Sequence, residues 1–137
     1  MFNCVVVKSF NCLKGMHKFS FEKLDVWIES KELTKSIYNL TLSFPDSEKF
    51  GLVSQLRRAS VSICSNIAEG TSRISDKDKA HFISMSYSST MEVLNQLILS
   101  YELEYISETN YSNCRNQINS ITNKLNSLRN YILKDKN

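Results

Sequence analysis

The residues of this chain best equipped for chemistry are a tandem of arginines, Arg57-Arg58, and a carboxylate, Glu92, set in an otherwise apolar segment. A carboxylate withdrawn from water is either protonated or paired with a cation. The two arginines are the expected cations. Asn66 and Gln96 stand close enough in the pattern to join them in a polar layer that fixes helix register. Glu69 raises a related question. It falls in the last turn of a predicted helix, where the macrodipole disfavours an anion, so either Arg73 or an arginine of a neighbouring helix is its partner, or it stands solvated at a cost of a few tenths of a kcal/mol. An acid with a shifted pKa is also what a carboxylate catalyst shows. Here no second carboxylate, histidine or nucleophile stands at a matching spacing, and no enzyme activity is expected.

Other chemistries find less support. There are two histidines, His17 and His81, and four cysteines, Cys4, Cys12, Cys64 and Cys114, with no C-x-x-C pair. That spacing does not make a zinc site. Cys64 and Cys114 fall in apolar periodic segments and fit as small core residues, reduced in a cytoplasmic protein. Neither a Gly-rich phosphate loop nor a Ser-His-Asp spacing is present, and no cofactor is expected. Phosphate contacts remain. Arg73, Lys77 and Lys79 surround the start of a predicted third helix, whose amides would help to hold an anion. Lys31 and Lys35 form a second basic pair, one turn apart on the first helix. Asp76 and Asp78 are interleaved with the first group. The net charge is only +3, and Lys8 and Lys14 in the acid-free segment 1–15 supply +2 of it. Nucleic-acid binding would therefore depend on a local patch, or on patches repeated around an oligomer.

The elements that must position these groups are helices. Three glycines and one proline in 137 residues leave few turn signals, and 42% hydrophobic residues can build a core. Helix one is predicted over 21–43, with Val26, Leu33, Ile37, Leu40 and Phe44 on one face, Ser30 among them, and Phe44-Pro45 ending it. Trp27 is expected in the core. Helix two is predicted over 48–69. It carries Leu52, Leu56, Ala59, Ile63 and Ile67 on one face, a seam of small residues beside them, and Gly70 as a left-handed cap. Helix three is predicted over 76–105 with Ser75 or Asp76 as its N-cap. Its heptad face runs Phe82, Met85, Ser89, Glu92, Gln96, Leu99 and Leu103. A second stripe runs through Ile83, Tyr87, Leu94, Leu97, Ile98, Tyr101 and Tyr105. Apolar surface on two sides points to a subunit interface. Helix four is predicted over 110–134, where Cys114, Ile118, Ile121, Leu125, Leu128 and Ile132 repeat without a break. The fold class is all-α, an antiparallel up-down-up-down four-helix bundle in one domain, 16–137. The apolar run Val5-Val6-Val7 is too short for a membrane span, and the N-terminus does not have the layout of a signal peptide. Residues 1–15 are expected to be a poorly ordered extension before a start at Met16, and 135–137 a frayed tail.

Gln55-Leu-Arg-Arg-Ala59, Ser62-Ile63 and Ser65-Asn-Ile-Ala-Glu-Gly70 resemble the signature of the 23S rRNA intervening-sequence proteins. Phe21-Glu-Lys-Leu-Asp-Val-Trp27, Phe44-Pro45, Phe50-Gly51-Leu52 and Glu92 fit the same pattern, and the resemblance spans about residues 17–134. It implies a small helical bundle assembled as a homopentamer. It also implies kinship with accessory proteins of diversity-generating retroelements, which bind nucleic acid and a reverse transcriptase. Two functions follow as expectations. One is an oligomeric scaffold that binds RNA or DNA. The other is a protein-docking module anchored by Tyr87, Tyr101, Tyr105 and Tyr111. Salt separates them, because phosphate binding weakens steeply with ionic strength.

Overall fold

A computed structural model of the chain describes residues 15–134. Apart from Gly15, the expected N-terminal extension lies outside the described residues, as does the expected frayed tail. Four α-helices follow one another: α1 Asp25–Leu40, α2 Leu52–Ser72, α3 Asp76–Glu102 and α4 Glu108–Leu133. Short 3-10 turns occupy Ser20–Lys23, Thr41–Ser43 and Asp46–Glu48, and no strand occurs among the described residues. Each helix packs against its neighbours in sequence, and α1 also packs against α4, which closes a four-helix bundle. Gln96 meets Gln55, and Ser89 meets Ser62. Partners that count in opposite directions make α2 and α3 antiparallel.

The core lies between the four inner faces. Leu33, Ile37, Leu56, Ile63, Ile67, Ile83, Val93, Leu97, Ile118, Ile121 and Leu125 are almost wholly buried. On α4 the inner face is the unbroken apolar repeat, with Cys114 buried and Leu128 and Ile132 half-buried at its end. Trp27 is half-buried and meets Phe21 edge to face, with ring centres 5.1 Å apart. Two helices start on serine caps: Ser75 Oγ accepts from Asp78 N, and Ser107 Oγ accepts from Asn110 N, each at 3.1 Å. Helix α2 begins at Leu52, later than expected, because Asp46–Glu48 forms a separate turn. From that turn the Glu48 carboxylate accepts the Leu52 N–H at 3.0 Å, placing a negative charge on the helix N-terminus.

Two expectations differ from the structure. Gly70 does not cap α2. It is buried inside the helix, which runs on to Ser72. A side chain there would bring its Cβ within 2.9 Å of Phe82 Cβ, so glycine serves close approach of α3. The left-handed cap occurs instead at Glu104, with φ 62°, after α3. Tyr105 N–H bonds to Ser100 O and Glu104 N–H to Tyr101 O, both at 2.9 Å, the hydrogen-bond pattern of a Schellman ending.

The inner face of α3 is also shifted. Its buried residues are Ala80, Ile83, Ser86, Thr90, Val93, Gln96, Leu97 and Ser100. The expected heptad face lies mostly on the flank: Glu92, Leu99 and Leu103 are exposed, Phe82, Met85 and Ser89 half-buried, and Gln96 alone is buried. The reason is hydroxyl chemistry. Ser86 donates to Ile63 O at 2.9 Å, Thr90 to Ser86 O at 2.8 Å and Ser100 to Gln96 O at 2.7 Å. A small hydroxyl that bonds to a main-chain carbonyl can be buried at little cost, so polar type hides the inner stripe.

Candidate nucleic-acid interface

The expected polar layer is split between the two sides of α2. The pairing of Ser62 with Ser89 and of Gln55 with Gln96 sets Arg58 opposite Glu92 along the α2–α3 seam. Both are exposed, and among the described residues no ion pair joins Glu92 to Arg57 or Arg58. Glu92 instead accepts from Gln96 Nε2 at 3.2 Å. Gln96 is 3% exposed, and its Oε1 has no hydrogen-bond partner among the described residues. Asn66 joins the serine pair, donating to Ser62 O at 2.9 Å. Arg57 turns away towards α1. Its Nε donates to Thr41 Oγ1 at 2.9 Å, its Nη2 to Tyr38 O at 3.3 Å, and its guanidinium lies over the Tyr38 ring at 4.7 Å. Glu69 is exposed, no ion pair joins it to Arg73 among the described residues, and the Arg73 guanidinium stacks on Phe82 at 4.4 Å.

The basic residues singled out in the sequence form two separated, partly neutralised sets. Around the start of α3, Lys79 lies 4.0 Å from Asp76, Arg73 is stacked on Phe82, and Lys77 is exposed. On α1, Lys35 pairs with Glu32 at 3.2 Å, and Lys31 sits over the Trp27 ring at 5.1 Å. The tyrosines expected as docking anchors serve internal packing. Tyr101 and Tyr111 stack with ring centres 4.8 Å apart, Tyr105 meets Phe44 at 5.5 Å, and Tyr87 is half-buried against the core.

A more continuous cationic surface runs along the outer side of α1 and α2. Two adjoining grooves share Tyr38, Arg57 and Val61. Lys35, Lys49, Arg57 and Arg58 line them, and no carboxylate does. The aromatic rings here are open to solvent: Phe50 is 89% exposed and Tyr38 44%. Lys49 Nζ lies 5.6 Å from the Phe50 ring centre. Local folding accounts for the arrangement. Pro45 and the 3-10 turn after it swing the chain across the bundle end, and the Glu48 carboxylate is spent on the cap of α2 and on a 3.5 Å contact with the Tyr105 hydroxyl. Lys49 and Phe50 are left projecting beside Arg57. The sequence contains one signal of this surface, the run of Lys49-Phe50 before Gln55-Leu-Arg-Arg58. Tyr38, however, comes from a different helix and only the fold adds it.

Two further groups were not evident from the sequence. Glu29 of α1 accepts hydrogen bonds from Ser120 Oγ, at 2.7 Å, and from Lys124 Nζ of α4. Burial acts to raise the Glu29 carboxyl, but the bonds from Lys124 and Ser120 and the lysine charge outweigh it and hold the group below its ordinary value. The hydrogen bond to Glu29 raises Lys124 in return. Burial pushes the Cys64 and Cys114 thiols up, which disfavours the reactive thiolate. Among the described residues no group of three or more histidines, cysteines or acids could hold a metal ion, and no helix is long and apolar enough to cross a membrane.

A family model described as 23S rRNA-intervening sequence protein matches residues 22–127. Among solved structures, one similar chain is a protein of unknown function from the S23 ribosomal protein family of Bacteroides thetaiotaomicron VPI-5482, determined by crystallography. It shares 24% sequence identity with a TM-score of 0.69, over 76% of this chain and 97% of that one. That likeness is one of fold. No curated protein matches the chain significantly.

Proposed function

The chain belongs to the 23S rRNA-intervening sequence protein family, and we propose that it acts as a non-enzymatic, oligomeric scaffold of the cytoplasm that binds nucleic acid. The observation that carries this reading is the groove along α1 and α2, lined by Lys49, Arg57 and Arg58 and by Lys35, whose Glu32 partner is not among the lining residues, with no carboxylate in the lining. A phosphate backbone is held by such a surface through charge and counterion release, with no special catalytic geometry. The basic sets at Arg73, Lys77 and Lys79 and at Lys31 and Lys35 are secondary, because Lys79 and Lys35 pair with Asp76 and Glu32 and Arg73 and Lys31 lie on rings of the protein itself. The scaffold is a homo-oligomer in this reading, a pentamer by the family resemblance. Its support is the α3 flank, where Leu99 is 46% and Leu103 52% exposed beside the unsatisfied Gln96 oxygen. A ring would repeat each groove and raise avidity without new contacts. A protein partner such as a reverse transcriptase is a weaker second occupant, since the tyrosines that would anchor it are packed internally.

The test is binding of the purified full chain to a labelled structured RNA and to duplex DNA across a salt series, with the mass in solution read by light scattering. Affinity should fall steeply with salt. Lys49→Glu/Arg58→Glu should abolish most binding, and loss of those two phosphate contacts should flatten the log–log salt slope by about 1.5. Arg73→Ala/Lys77→Ala/Lys79→Ala should weaken binding less. Absence of binding at low salt would overturn the nucleic-acid reading, and a monomeric mass would overturn the ring.

A further inference from the structure

The α1–α2 groove has a second property besides its charge: it displays the Phe50 ring almost fully to solvent and the Tyr38 ring in part, with Arg57 on one face of Tyr38. Phe50 is 89% exposed although it follows a lysine and precedes a helix N-terminus, and no residue of the described chain packs over its face except the Lys49 ammonium at 5.6 Å. Tyr38 presents its ring at the junction of the two grooves with Arg57 stacked on it. We infer that this groove binds single-stranded RNA, with unpaired bases stacking on Phe50 and Tyr38 while Lys49, Arg57 and Arg58 hold the phosphates.

The inference rests on the nucleic-acid reading above and narrows it to one class of ligand. In a duplex the base faces are covered by their neighbours, so an exposed ring has nothing to stack on. In a single strand each base has a free face, and cation-lined grooves with exposed aromatics are how proteins hold such strands without reading sequence. The arginine over Tyr38 adds to this, because a guanidinium plane is itself a stacking surface. From Val53 to Ser65 the groove follows α2 for about 18 Å at the helical rise of 1.5 Å per residue, with Lys49 and Phe50 extending it beyond the helix start. That length suits a short single-strand site of about four nucleotides, the lower end of what such grooves occupy. Ser54 and Ser65 also line it. Their hydroxyls can donate to and accept from a ribose 2′-hydroxyl, the group that distinguishes RNA from DNA.

Three fluorescein-labelled probes test this with the full chain: a twelve-nucleotide oligouridylate, the same strand annealed to oligoadenylate, and oligodeoxyuridylate of the same length. The single RNA strand should bind about tenfold more tightly than the duplex, and Phe50→Ala should lower its affinity by about tenfold while leaving the duplex unchanged. Phe50→Trp should restore or exceed the original affinity. The ring makes few contacts in the protein, so Phe50→Ala should keep its native circular dichroism and melting temperature. Salt-dependent binding that is equal for strand and duplex and insensitive to Phe50→Ala would overturn the single-strand inference and leave the broader reading standing. Equal affinity for oligodeoxyuridylate would overturn the preference for RNA. No binding of any probe at low salt would remove the broader reading itself.

Discussion

Two residues carry conformations opposite to their usual roles. Gly70, which could supply a left-handed cap, is helical and buried where α3 comes closest to α2. Glu104, which gains nothing from a left-handed backbone, holds φ 62° at the end of α3. A glycine-to-alanine change in a helix interior gains about 1 kcal/mol from propensity. At Gly70 the added methyl meets the root of the Phe82 side chain at 2.9 Å, which cannot swing aside as a chain end can. Overpacking of that kind costs about 1–3 kcal/mol and should win. Gly70→Ala should therefore lower the unfolding free energy in urea melts, whereas Glu104→Gly should raise it by about 1 kcal/mol by relieving the left-handed strain. A stabilised Gly70→Ala protein would show that α2 and α3 are not held at this distance. The sequence made the end of a helix near Gly70 legible, because polar residues follow it. It did not reveal which glycine property was in use, since a cap and a close approach call for the same residue.

At the scale of the helices, legibility followed how each face is buried. The inner face of α4 is apolar at every turn from Cys114 to Leu125, and spacing alone identifies it. The inner face of α3 carries Ser86, Thr90 and Ser100, each bonded to a main-chain carbonyl, while Leu99 and Leu103 face outward. Counting apolar residues there selects the flank. The α1–α4 contact was equally hidden, because Glu29 and Lys124 lie 95 residues apart. Its titration gives a prediction. The Glu29 carboxyl is depressed in the folded chain, so the pair contributes stability above the unfolded carboxylate pKa and loses it as pH falls through the folded value. Thermal melts of Glu29→Gln should lie below those of the parent at pH 7, and the gap should close on acidification. The side chains are about a third exposed, 34% for Glu29 and 40% for Lys124, so the gap should be small and should shrink in salt. A gap unchanged down to acid pH would mean that packing, and not the charge, makes the contact.

Across the whole molecule, charge is arranged by end. Phe50 and the start of α2 lie beside the α3–α4 turn, tied by the Glu48–Tyr105 contact, while Arg73 and Lys77 lie at the α2–α3 turn, at the far end of the same two helices. The family signature in α2 thus serves both the core and the outer groove, which Arg57 and Arg58 line together. Fold and family were legible because that signature is dense. The groove was not, because Thr34, Lys35, Tyr38 and Asn39 of its lining come from α1. The closed cycle of helix contacts also sets an order of assembly. α2 and α3 are joined through residues 73–75 alone, and Ser62 meets Ser89 across 27 residues. α1 reaches α4 only by closing a 95-residue span between Glu29 and Lys124, which costs about 1 kcal/mol more in chain entropy. The α2–α3 hairpin should therefore form first, and the seam between α1 and α4 should be the first to part. Native-state hydrogen exchange should find the last-surviving amides in α2 and α3. Equal protection in α1 and α4 would mean that the bundle opens only as a single unit.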